Sequence, residues 1–425
     1  MARTHPVIAI IGTLDTKLAE FLYLRTRILE INSELNVMLI DVGRTNTTHE
    51  AITISQSEVL AASQYDGDLE SLPRGEVIKI MTRGATRLVK AKHQARMIHG
   101  IISLGGSGGT SIASAVMREL PLFTIPKLIV STVASGDTSS YVAESDIMLM
   151  YSVVDIAGLN EMLKAVIDQA AAAIVGMTKA YTAKIWNSTP KEIEAETRKK
   201  SIGITMFGVT TPAVDRARAV LDEMGFEVYV FHATGAGGRA MERLISEGRL
   251  DGVLDLTTTE LADELVGGVM SAGENRLTAA AAAGIPQIVS VGALDMVNFG
   301  PRATVPKDFQ DRKLFEHNPS VTLMRTSQDE CKELGRRLAS RLRENCTKPE
   351  VTEVWMPNEG VSAISGKGQA FYDRAADVVL FRSIYHGLDG SGITVRELDH
   401  AINDETFAEA IAKKLAQLMS DNRET

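Results

Sequence analysis

Residues 100–120 read GIISLGGSGGTSIASAVMREL. A short apolar run, GIISLG (100–105), passes through a glycine-rich turn into SIASAVMREL, whose apolar residues recur at helical spacing. A continuous apolar run indicates a strand covered on both faces, and a strand leading straight into a helix indicates a parallel sheet. The same grammar repeats along the chain. Upstream and downstream lie VIAIIG (7–12), VMLIDVG (37–43), KLIVSTV (127–133) and DIMLMYSV (146–153). The later half adds SIGITMFG (201–208), EVYVFHA (227–233), GVLDLT (252–257), QIVSVGA (287–293), VTLMRT (321–326), EVWMP (353–357) and VVLFRS (378–383). The fold class is therefore α/β, with two Rossmann-like doubly wound domains and mainly parallel sheets.

A long helical stretch between 155 and 200 breaks near Asn187-Ser188-Thr189-Pro190 and ends in the charged KEIEAETRKK. It separates an N-terminal domain, 1–190, from a C-terminal one, 200–425. The 425-residue length fits two cores, since one core stops growing near 250 to 300 residues. The halves resemble each other in order. MTRGATRLVKAKHQARMIHGIISLGGSGGTSIASAVM aligns with FHATGAGGRAMERLISEGRLDGVLDLTTTELADELVGGVM, and PKLIVSTVASGDTSSY with PQIVSVGALDMVNFGP. The alternative is that any two doubly wound sheets look alike at this level.

The net charge is −9, with 44% hydrophobic and 23% charged residues, the mixture of an ordinary soluble protein rather than a basic nucleic-acid scaffold. With 5% aromatic residues, few platforms exist for stacking single-stranded bases. The N-terminal apolar run is too short for a signal peptide, and the alanine-rich AVIDQAAAAIVGM is interrupted by Asp168, so neither export nor a membrane span is expected. Cys331 and Cys346 show no CxxC spacing, which suits a reduced, cytoplasmic protein.

Loops at the carboxyl ends of such strands carry ligands. In SLGGSGGTS (103–111), Gly105, Gly106, Ser107, Gly108, Gly109 and Thr110 offer unobstructed amides at a helix start, where the dipole favours a phosphate. The bland reading is a tight strand-to-helix turn. No Walker lysine follows, and the match to G-x-G-x-x-G is incomplete. In GTLDTK, residues Gly12, Thr13, Asp15, Thr16 and Lys17 supply amides, hydroxyls and a cation, with Asp15 a candidate for Mg2+ or for plain helix capping. Asp41 stands where dinucleotide folds place a ribose-binding acid, or in an Asx turn before Gly43. Ser135, Gly136 and Asp137 could close over a ligand or hold a metal-bound water.

In the second half, HATGAGGRAME (232–242) is a further anion-suited turn with Arg239 nearby. The glycine-rich loop PNEGVSAISGKGQAFYD (357–373) carries Glu359, Ser362 and Lys367, and its length favours a functional role. His232 and His386 read as strand-end residues able to act as acid or base, or as structural hydrogen-bonders. No HExxH, Cys/His cluster or G-x-S-x-G elbow supports a zinc hydrolase or an α/β-hydrolase.

Taken together, IAIIGTLDTK, FLYLR, LIDVG, GIISLGGSGGT and PNEGVSAISGKGQAFYD with Asp377 resemble the family that includes the N-terminal inhibitory region of the tomato mosaic virus resistance protein and its standalone bacterial and fungal relatives. The resemblance spans the whole chain. It implies two Rossmann-like subdomains, ATP binding and a homodimer, with ATP carried onto Gly12, Thr13, Asp15, Thr16, Lys17 and Gly105 to Thr110. The expected function is thus nucleotide binding, with ATP and Mg2+ as cofactors. Two alternatives stand beside it. One is a metabolic enzyme acting on a small phosphorylated or carboxylated metabolite in an interdomain cleft, with Glu359, Ser362, Lys367 and His386 as catalytic candidates. The other is a module that inhibits a protein partner.

Overall fold

A computed structural model describes residues 5–187 and 199–421. The expected helix break at Ser188-Thr189-Pro190 and nearly all of KEIEAETRKK lie outside them. The chain divides into two compact units, residues 1–197 and 198–425.

In the first unit, β1 (Val7–Gly12), β2 (Asn36–Asp41), β3 (Ile52–Ile54), β4 (Gly100–Gly105), β5 (Lys127–Ser131) and β6 (Met148–Tyr151) form a sheet in the order β3-β2-β1-β4-β5-β6, all parallel. The helices are α1 (Leu14–Ile31), α2 (Gln56–Ser63), α3 (Arg74–Gln94), α4 (Ser107–Arg118), α5 (Ser139–Val142) and α6 (Glu161–Asn187). Strand β1 shows why its apolar run is continuous. Ile8 and Ile10 pack with Phe21, Leu24 and Ile28 of α1 and Ile167 and Ile174 of α6, whereas Ala9 and Ile11 pack with Val59, Met81 and Val116 of α2, α3 and α4. Both faces are covered, so both parities must be apolar.

The second unit holds β7 (Ser201–Met206), β8 (Glu227–His232), β9 (Gly252–Thr257), β10 (Gln287–Gly292), β14 (Thr352–Pro357) and β15 (Thr394–Leu398), all parallel, in the order β15-β14-β10-β9-β7-β8. Between β10 and β14 the chain adds a separate antiparallel sheet of β11 (Met296–Phe299), β13 (Val321–Arg325) and β12 (Leu314–Asn318). Its helices are α7 (Thr211–Glu223), α8 (Ala236–Ser246), α9 (Glu260–Val266), α10 (Ala279–Ala283), α11 (Gln328–Asn345), α12 (Arg374–Leu388) and α13 (Glu405–Asp421). Helices α7 and α13 cover Ile202, Ile204, Leu254 and Leu256, and α11 and α12 cover Val289, Val291, Val354 and Met356.

The two sheets share a five-strand centre. The run β2-β1-β4-β5-β6 corresponds strand for strand to β8-β7-β9-β10-β14. Unit one adds β3 beyond β2, giving the dinucleotide-fold order, and unit two adds β15 at the opposite rim, giving a flavodoxin-like order. The sequence alignment of the halves paired β4 with β9 and β5 with β10, as the topology does.

Two local readings change. VVLFRS is not a strand but lies inside α12, where Leu380, Phe381 and Ile384 are buried. A short apolar run on a well-covered helix carries the same composition as a buried strand. MTRGATRLVK, aligned with the glycine turn of FHATGAGGRAM, is instead the middle of α3, where Gly84 lets the helix pack closely. A Cβ there would stand 1.9 Å from the Val59 carbonyl oxygen of α2.

Candidate functional site

At the carboxyl edge of the first sheet, between β1 and β4, a cavity of about 610 Å3 is lined by Thr13, Asp15, Thr16 and Lys17 from the β1 loop and by Gly106, Ser107, Gly108 and Gly109 from the β4 loop. Val42, Val77, Ile78 and Ile112 give it an apolar wall, and Arg44 and Arg74 add cations. The position is the topological switch point, where chain direction diverges and opens a crevice. The volume is that of an ordinary small-ligand pocket.

Helix α4 begins at this cavity with Gly106 as its N-cap and no side chain capping it. Its first amides have no partner further back in the helix, so they face the cavity as donors. Side chains cap some other helix starts: Ser55 and Glu58 form a capping box on α2, Ser327 and Glu330 one on α11, and Asp373 accepts from Ala376 N–H on α12, whereas α1, α3, α7 and α8, like α4, receive no bond from their own N-cap side chain.

Three cations and one carboxylate line this cavity, so its formal charge is about +2 on a chain of net −9. Lys17 Nζ donates to the Ile156 carbonyl, and Arg44 Nη2 donates to the carbonyls of Glu70 and Leu72 (2.8 Å to the latter). These partners are neutral and leave the positive charge uncompensated. Arg74, the first residue of α3, is exposed and makes no hydrogen bond or ion pair among the described residues. A Cβ built on Gly108 would lie 2.8 Å from its Nη2, so the guanidinium rests on the glycine turn. Asp15 Oδ2 accepts from the amides of Arg44 (2.9 Å) and Thr45 (3.3 Å), while its Oδ1 is enclosed without a partner.

Other expected residues of this region serve the scaffold. A Cβ on Gly12 would enter the Phe21 ring at 2.2 Å, so this glycine allows α1 to pack rather than a ligand to approach. Asp41 is fully buried and does not line the cavity. Its Oδ1 accepts from the amides of Leu14 (3.2 Å) and Gly43 (2.9 Å), and burial outweighs those bonds to raise its pKa. The ribose-acceptor expectation for Asp41 thus gives way to a strut between two loops, which also occupies an amide at the start of α1. Thr110 is buried with its Oγ1 2.7 Å from Ser131 Oγ, and Gly105 is buried at the strand end. Ser135, Gly136 and Asp137 are exposed, and Thr132 is the member of their loop that reaches the cavity. Asp137 accepts from Ser139 N–H (2.9 Å) at the start of α5, and that bonding with Ser139 lowers its pKa.

The catalytic candidates of the second unit do not converge. Glu359 and Lys367 are exposed, and His386 is exposed in the last turn of α12 rather than at a strand end. Ser362 is buried and donates to Asp295 Oδ2 at 2.8 Å. The long loop carrying it fills the carboxyl edge of its own sheet. Ala293 N–H donates to Val361, Ala363 N–H to Val209 and Ile402 N–H to Gly360, each at 2.8 to 2.9 Å. Beside it, Arg325 Nη2 pairs with Asp377 at 2.6 Å. Burial pushes Asp295 up to about 6, against the pull of Arg325. Asp263, on α9, is pushed up to about 7 by burial, although Asn298 and Met270 amides donate to it.

His232 ends β8 with its ring 5.7 Å from that of Phe207, and Arg239 Nη1 donates to Ser271 O at 2.9 Å. The anion-suited turn between them is already occupied. Glu260 Oε1 accepts from Gly235 N–H (2.7 Å) and Gly238 N–H (3.1 Å). Glu260 Oε2 accepts from Arg276 Nε at 2.6 Å, and Arg276 also holds Asp255 (Nη2 to Oδ1, 2.6 Å) and Glu242 (3.3 Å). Arg276 is the largest fully buried side chain, and sequence reading passed over it because nothing local distinguishes it from a surface arginine. Arg74 had a local signal, a helix opening at Pro73-Arg74-Gly75.

Among the described residues no group of three His, Cys, Asp or Glu is placed to hold a metal ion, and no helix is long and apolar enough to cross a membrane. Fold and cavity define a two-unit doubly wound α/β protein with a switch-point pocket in its first unit. The chain belongs to the uncharacterised protein family UPF0261: the family's N-terminal domain matches residues 6–183 and its C-terminal domain residues 199–419. A UPF0261 protein of Clostridium tetani is 46% identical over 97% of this chain and 98% of its own length. One from Mesorhizobium japonicum is 42% identical over 95% and 97%. The ToMV resistance protein Tm-1 of Solanum lycopersicum is 40% identical over 98% of this chain, which spans 56% of that protein.

Proposed function

We propose that the first unit binds a nucleotide, ATP in the first instance, with phosphate oxygens at the start of α4. The observation that supports this most is the uncapped first turn of α4 facing a net-positive cavity in which Arg74 has no partner. An anion approaching an acidic protein needs such a local field. Val42, Val77, Ile78 and Ile112 offer a surface for the base or sugar, and the orphaned Asp15 Oδ1 is the group to orient Mg2+. Lys17, held by a carbonyl, contributes charge from the side of α1. The resemblance adds a homodimer to this reading, and two free cysteines, Cys331 and Cys346, suit a reducing cytosol.

Titration calorimetry with ATP, with and without Mg2+, tests it. Wild type should bind, Gly108→Val should not, and Arg74→Ala should lose about 1.5 to 3 kcal/mol, roughly ten- to hundredfold in affinity. No binding at millimolar nucleotide overturns the reading.

A further inference from the structure

The second unit repeats the place of the first unit's pocket, and something fills it. Helix α8 precedes β9 as α3 precedes β4, and α9 follows β9 as α4 follows β4. In unit one, the starts of α3 and α4 meet around Arg74 and the Gly108 turn, and the space between is open. In unit two, the start of α8 is a glycine turn whose Gly235 and Gly238 amides converge on one oxygen, and that oxygen belongs to Glu260, the first residue of α9. The other oxygen of this carboxylate meets the Nε of Arg276, whose side chain is 1% exposed. Two amides at a helix N-terminus and one buried guanidinium are the donor set that proteins use for a bound carboxylate or phosphate. Glu260 is itself fully buried, and a Cβ on Gly238 would stand 2.1 Å from its Oε2.

We infer that Glu260 is a tethered ligand: its carboxylate occupies a second anion site, built by Gly235, Gly238 and Arg276, that would otherwise take a small free carboxylate. The second unit is therefore self-liganded at this turn. The inference stands on the second unit alone and does not depend on nucleotide binding by the first.

Chemical rescue tests it. Glu260→Ala removes a CH2–COO− group whose shape is that of acetate, while the amides and Arg276 remain. It is made in the Arg74→Ala background, which disables the first-unit pocket. The double variant should melt below Arg74→Ala by roughly 5 to 10 °C. Acetate or formate should restore much of that loss in a saturable way, with chloride at matched ionic strength ineffective and Arg74→Ala alone unresponsive. Glu260→Gln, which fills the space, should not respond to acetate. Equal responses to acetate and chloride, or a Glu260→Ala variant as stable as its parent, overturn the inference. If the variant does not fold unaided, refolding yield in acetate against chloride is the readout, and no gain in acetate overturns it equally.

Discussion

The loop after β4 and the loop after β9 stand at the same place in two sheets with a common five-strand centre, and their electrostatics are opposite. The first surrounds open space with Lys17, Arg44 and Arg74 against Asp15, a formal +2. The second is packed around Arg276 with Asp255, Glu260 and Glu242, a formal −2. Topology brings helix N-termini to one edge in both units. The two edges differ at one side chain, since Ser107 opens α4 where Glu260 opens α9.

The sharpest way to break this comparison is to remove the buried cation. Arg276→Met leaves three carboxylates without their partner and should cost about 3 to 5 kcal/mol in urea denaturation of the full chain. A loss below 1 kcal/mol would mean the network is not what closes the second site. The next effect is a pH dependence led by two buried acids of the second unit; in the first unit Asp41, raised by burial, adds to it, while His93 and His99, lowered by burial, oppose it. Asp263 rises from 3.8 to about 7 and Asp295 from 3.8 to about 6. Between pH 4 and 7 the unfolded chain has released these protons while the folded chain retains them, so stability falls as pH rises. Asp263 alone accounts for roughly 4 kcal/mol over that window. Glu333 and Glu409, held near 2 by their arginine and lysine partners, titrate below it. Urea denaturation at pH 5 and 7.5 measures the difference, and a more stable protein at 7.5 contradicts the assignment.

A smaller effect follows at the loop over the second sheet. Ser362→Ala removes the donor to Asp295 and should cost about 1 kcal/mol, raising the Asp295 pKa further. An unchanged melting temperature would show the loop to be held by its backbone bonds alone. The smallest effect is the most informative counterpart of Arg276. Arg74→Ala should leave stability within about 0.5 kcal/mol while weakening ATP binding, because that guanidinium has no protein partner to abandon. A large loss of stability would mean that Arg74 is structural.

Both sheets and the loops that line the first unit's cavity were legible in the sequence, because continuous Val/Ile runs and glycine turns are local signals. SLGGSGGTS could be read as an anion turn without knowing what surrounds it. HATGAGGRAME could be read the same way, and what its sequence did not show is the occupant: Glu260 lies 22 residues beyond Gly238 in the chain, yet its carboxylate sits in the turn. Asp41 misled for a related reason, since strand-end acids look alike whether they face a ribose or two backbone amides. VVLFRS misled because composition does not separate a covered helix from a covered strand.

The two sheets differ by one strand apiece, β3 on one rim and β15 on the other. A sheet can accept a new strand only where backbone groups are unpaired, at its border, so the middle is shielded from such change. New strands that pair into either sheet should therefore be added at borders such as β3 and β15, whereas an insert between inner strands, like β11 to β13, has to form a sheet of its own. The crossover between β1 and β4, and its counterpart between β7 and β9, should be inherited nearly unaltered even as the borders are rebuilt.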